Sequence, residues 1–123
     1  MSIDYNFTTC KVDVEFNNAK EMKEKIKAFE AERKECIEAD MYIPACISQT
    51  DEDKKALKAQ VIVSVSEYVE TDELADLICT HFPKSNGTIS WSYAEVSAGG
   101  YVRSTGGGTI YIKDGTKTST MLI

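Results

Sequence analysis

The chain has 123 residues, with 14 Lys+Arg against 20 Asp+Glu and a formal net charge of −6. Hydrophobic residues make up 42% and charged residues 28%, which excludes a wholly disordered chain. The acidic balance argues against a general nucleic-acid binder, whose phosphate contacts need surplus Lys and Arg, and against docking to anionic membranes.

Of the basic residues, only Arg33 and Arg103 are arginine. The start, Met1-Ser2-Ile3-Asp4, has neither a basic region nor an apolar run, so no signal peptide is visible. The apolar stretch around Val61–Val65 is too short to span a bilayer. A cytoplasmic location is expected. The four cysteines, Cys10, Cys36, Cys46 and Cys79, match no zinc or haem spacing. Each has apolar neighbours and is expected as a buried free thiol. No repeat or linker divides the chain, so a single domain over residues 1–123 is expected.

Residues 7–16 alternate, with Cys10, Val12, Val14 and Phe16 on one side and Thr9, Lys11, Asp13 and Glu15 on the other. That pattern is a strand with one wet face. Asn18 and Glu21 have capping-box spacing, and a helix is expected from there to about Asp40. Met22, Ile26, Phe29, Cys36 and Ile37 form its apolar stripe. Residues 41–48, interrupted by Pro44, suit an edge strand, and Thr50–Asp53 suits one helical turn.

Gln60–Tyr68 is valine-rich and reads as a central strand. Thr71 is expected to cap a second long helix, which buries Leu74, Leu77, Ile78 and Phe82 and stops at Pro83. Ser85-Asn86-Gly87 reads as a turn and Thr88–Ser97 as a strand with Ile89, Trp91 and Tyr93 on one side. Ala98-Gly99-Gly100 reads as a hairpin turn, Tyr101–Ser104 as the return strand, and Gly106–Gly108 as a bulge, loop or second turn. Thr109–Lys113 is a last strand, Asp114-Gly115 a turn, and the remaining tail is expected to fray. This order predicts an α+β fold. Two helices would pack on one face of a mainly antiparallel sheet, in a ferredoxin-like βαββαβ core with an extra C-terminal hairpin.

No catalytic set assembles. Cys79 and His81 are two apart and point to different sides of a helix. Asp51-Glu52-Asp53 lacks the calcium-loop pattern. Gly106–Gly108 lacks both the P-loop ending and a following helix. Neither an enzyme, a metal site nor a cofactor is expected.

The C-terminal half gathers Phe82, Trp91 and Tyr101 with Lys84, Asn86 and Arg103 among glycine-rich turns. Aromatic faces stack bases, and an arginine grips phosphate bidentately. The expectation is a non-enzymatic protein that binds a small nucleotide-like ligand through these six residues. So small a chain would build such a pocket at a homo-oligomer interface, with the glycine-rich strands and residues 109–123 supplying exchanged edges. A phage or mobile-element protein that sequesters a cyclic-nucleotide or ADP-ribose-like signal has this profile. The alternative is an acidic protein-interaction module or inhibitor. It would meet the basic groove of a protein partner through Glu67, Glu70, Asp72, Glu73 and Asp76, a stretch free of Lys and Arg. No direct nucleic-acid or membrane partner is expected.

Overall fold

The computed structural model describes residues 2–122, with side chains from residue 6 to residue 120. The elements are β1 (Ser2–Glu15), α1 (Ala19–Glu38), β2 (Cys46–Ser48), α2 (Asp51–Lys55), β3 (Lys58–Val65), α3 (Thr71–His81), β4 (Ser85–Ser97), β5 (Val102–Lys113) and β6 (Thr116–Leu122). The fold is α+β. The strands form one antiparallel sheet in the order β2-β3-β1-β4-β5-β6. No helix among the described residues is long and apolar enough to cross a membrane.

The alternation in β1 is what its burial follows. Cys10, Val12 and Val14 are buried, while Lys11, Asp13 and Glu15 are exposed. β1 lies between β3 and β4, so its apolar side joins Val61 and Val63 to Ile89, Ile110 and Ile112. Phe29 of α1 and Leu74, Ala75, Leu77 and Ile78 of α3 complete this core. At its centre Phe82 meets Phe16 edge-on at 5.9 Å and Phe29 at 5.2 Å.

Asn18 caps α1 as its spacing predicts, accepting a hydrogen bond from Glu21 N–H at 2.8 Å. The reciprocal half of the box is absent, because Glu21 accepts instead from the Asn17 amide at 3.0 Å. Thr50 and Asp53 form a complete box at α2. β2 is an edge strand, but it begins after Pro44.

Several expectations are corrected. Thr71 is the first residue of α3 rather than its cap; Glu70 holds that place without a side-chain cap bond. Ile37 and Tyr68 are exposed rather than core. Ser85-Asn86-Gly87 is not a turn but the start of β4, pairing with Val14, Asp13 and Val12. Gly106–Gly108 is neither loop nor turn but the middle of β5, opposite Tyr93, Ser92 and Trp91. The tail forms β6, paired with β5 from Gly107 to Lys113. It is reached through Asp114 and Gly115, whose φ values of 49° and 72° suit a two-residue hairpin. Lys117 then ties β6 to Asp76 of α3.

All four cysteines are free; Cys46 is exposed, against expectation, and only Cys10 is fully buried. Burial pushes the Cys10 thiol from 9.0 up to about 12. In the unfolded chain it would ionise near the lower value, so the native state holds more protons between these limits. Its contribution to stability is complete below pH 9 and is lost as pH rises toward 12, at up to about 1.4 kcal/mol per pH unit. Burial also raises Cys36 and Cys79, with the same sign. Urea midpoints at about pH 8 and about pH 10.5 should therefore fall more steeply for the native chain than for Cys10→Ala. Equal declines in the two proteins would contradict this.

Candidate functional site

The residues expected to share one pocket are dispersed. Phe82 follows α3 directly and is fully buried against Phe16 and Phe29, so no ligand reaches its ring. Lys84 bonds to the Asn17 side chain near the start of α1. Asn86 accepts from Asp114 N–H at 3.0 Å and so pins the β5–β6 turn. Gly115 seats this turn on Pro83: a Cβ there would stand 2.7 Å from the Pro83 carbonyl oxygen.

Tyr101 and Arg103 lie at the other end of β4, around the β4–β5 turn. Nine residues separate Asn86 from Glu95, about 30 Å of strand. Within one chain, Lys84 and Asn86 therefore cannot contact a small molecule held by Tyr101 and Arg103.

Trp91 occupies the middle. Its ring lies against Gly108, where a Cβ would fall 2.5 Å from it. Tyr93 covers Gly106 in the same way, also at 2.5 Å. A glycine in a strand leaves backbone without side-chain cover, and a cross-strand ring supplies it. The glycine run is thus the seat for two aromatic rings. Gly107, directed to the opposite face, leaves room for the Trp91 carbonyl, which a Cβ would approach to 2.4 Å.

Along this side of β4, burial falls away toward the β4–β5 turn. Ser85 and Ile89 are fully buried, Trp91 is half-buried, and Tyr93 is 43% exposed. The ends of β1, β4 and β5 that follow form an apolar, exposed wing. Phe7 is 48% exposed and Val102 63%. Phe7 pairs with Ser92 rather than Tyr93, so the wing is apolar on both faces. Serine and threonine fill the sheet beside Phe7, with the Ser90 and Thr109 hydroxyls 3.2 Å apart above a shallow hollow of about 290 Å³.

At the tip, Tyr101 is 77% exposed, and its N–H donates to Ser97 Oγ at 3.2 Å. Arg103 reaches Glu95 at 3.6 Å with its side chain 62% exposed. A pair so solvated and so long holds the guanidinium weakly, leaving it free for a stronger anion.

No protein-family model, curated protein or solved structure matches this chain. The chemistry of the wing is read from its own residues. The tip offers one exposed phenol ring and one guanidinium; the wing behind it offers apolar surface and free sheet faces. The acidic alternative is partly used up inside the fold. Asp76 is bridged by Lys117, and Glu67 accepts from Tyr42, raising the tyrosine above its usual value. Glu70, Asp72 and Glu73 remain at the start of α3, where the helix dipole itself favours carboxylates.

Phe7, Tyr93 and Val102 were absent from the expected site. Tyr93 shares a strand face with Ile89 and Trp91, a pattern that a core position shows as well. Only the length of β4 relative to the helices that cover it separates Ile89 from Tyr93.

Proposed function

We propose that this chain is a non-enzymatic small-ligand binding protein that works as a homo-oligomer through its β1–β4–β5 wing. It sequesters a nucleotide-type ligand where the Tyr101–Arg103 tip of one copy meets a second copy. The observation that carries this reading is the apolar wing itself: Phe7, Tyr93, Tyr101 and Val102 stand exposed at one end of the sheet. Large apolar side chains left exposed together at one end of a sheet, on both of its faces, support an interaction site there. Tyr101 and Arg103 face little of their own chain, so a pocket using them needs walls from elsewhere. A symmetric second copy is the economical source, because each interface presents the same patch twice.

We also infer that the framework is a ferredoxin-like core with both long helices on one face, extended by β5 and β6. The strand order β2-β3-β1-β4 supports this. So does the shared core, in which Phe29 of α1 and Leu74 and Ile78 of α3 meet the same sides of β1 and β4. In this arrangement the helices stop short of the wing.

Sedimentation of the native chain should give an oligomer. The double variant Tyr93→Lys/Val102→Lys, with an unchanged circular dichroism spectrum, should give a monomer. With ADP-ribose as the calorimetric probe, Arg103→Ala should weaken binding about 10- to 100-fold, the scale of one charge-assisted hydrogen bond. A native chain that sediments as a monomer, or Arg103→Ala that binds undiminished, would overturn the reading.

A further inference from the structure

An open groove of about 560 Å³ runs along the first half of α1, far from the residues of the wing in sequence and walled on its other side by Gln49 and α2. Met22 and Ile26, one helical turn apart, form an apolar floor and pack against the core from its edge. Gln49 holds that floor in place: its amide nitrogen lies 3.0 Å from Met22 Sδ and 2.9 Å from the Lys58 carbonyl oxygen. Lys23 and Lys27 from α1 and Lys54 from α2 form the rim. All three are exposed, and none makes an ion pair among the described residues.

Two of these lysines, Lys23 and Lys27, stand on one face of α1, and the third, Lys54, closes α2. α2 and α3 open on Asp51, Glu52 and Asp53 and on Asp72 and Glu73, as the positive end of a helix favours. α1 opens on Glu21 as well, and its next two turns mix Lys23 and Lys27 with Glu24. Lys23 and Lys27 stand at i, i+4, where like charges repel. In a chain of net charge −6, three ammonium groups that make no ion pair among the described residues thus gather around one apolar floor. An anion would relieve this repulsion, and only one with an apolar body would also cover Met22 and Ile26. Glu30 lines the far end and repels an acid there, so the head belongs at the Lys23 and Lys54 end. The volume is that of a site for a drug-sized molecule.

We propose that this groove between α1 and α2 binds a small amphipathic anion, its acidic head between Lys23 and Lys54 and its apolar body along Met22 and Ile26. The site is independent of the wing and of its oligomeric role.

The test uses 1-anilinonaphthalene-8-sulfonate, an aryl sulfonate with both required parts, on the full chain. One saturable site is expected by calorimetry, with backbone amide shifts centred on residues 22–27, 49 and 54. Lys23→Glu/Lys54→Glu should weaken it at least about 10-fold, the size of one lost charge-assisted contact, with melting unchanged because both side chains are solvated. Lys113→Glu, a surface lysine on β5, should bind as the native chain does. Inorganic phosphate should fail to displace the probe at equal concentration. Equal affinity in the double variant, shifts centred on Trp91 and Tyr93 instead, or displacement by phosphate as readily as by unlabelled probe would each overturn the proposal.

Discussion

Phe82→Ala is expected to destabilise the chain by about 3–5 kcal/mol, the cost of emptying a packed aromatic site. The ring is fully buried and holds Phe16 edge-on and Phe29 face-tilted, so it joins the end of β1, the middle of α1 and the exit of α3. No neighbour can collapse into the space without giving up one of these contacts. A domain of this size has about 5–15 kcal/mol of stability in total, so the variant loses a large share of it. The urea midpoint should drop sharply with little change in the slope of the transition. Loss of ligand binding by a fully folded Phe82→Ala protein, with its unfolding free energy within about 0.5 kcal/mol of the native chain, would contradict the core assignment.

Gly87→Ala is expected to cost about 3 kcal/mol, the upper end of overpacking, for a different reason. A Cβ at Gly87 would stand 2.2 Å from the Lys11 carbonyl oxygen and 2.6 Å from Val12 Cα. Both atoms are backbone, so no rotamer change relieves the contact. They belong to β1, the strand that pairs with both β3 and β4, so the displacement spreads through the middle of the sheet. Gly100 is the internal control. Its φ of 84° also favours glycine, but a Cβ there meets nothing within 4 Å, so alanine costs only the backbone strain, about 1 kcal/mol. Chemical denaturation of both variants checks the order. A Gly87→Ala protein as stable as Gly100→Ala would mean that β1 and β4 do not approach as described.

What could be read from the chain beforehand was local. β1 was legible because one face is wet and the other dry, which writes the period of two into Cys10, Val12 and Val14. Asn18, Thr50 and Asp53 were legible because a cap bonds within its own turn. The Asp114-Gly115 and Ala98–Gly100 turns were legible for the same reason. The errors share a different cause. Gly106–Gly108 looks like a loop until Tyr93 and Trp91, both far earlier in the chain, are laid on it. The tail looks frayed until β5 offers it a partner. Phe82 looks available beside Lys84 and Asn86 until the chain leaving α3 turns it beneath the sheet. The six expected site residues lie close in sequence, but a long strand carries its two ends far apart, so proximity in sequence placed them in the wrong company. The lysine groove did leave a local trace, in the like charges at Lys23 and Lys27. That trace gained meaning only when Lys54 and Gln49 came to face it.

The central claim is that the exposed wing is covered by a second copy and that this junction holds a ligand. A native mass spectrum of the protein purified from cells tests both halves at once. The expected result is a whole-number multiple of the chain mass plus the mass of a retained nucleotide-type ligand, both lost in Tyr93→Lys/Val102→Lys. A bare single-chain mass, identical for the native protein and the variant, would contradict it.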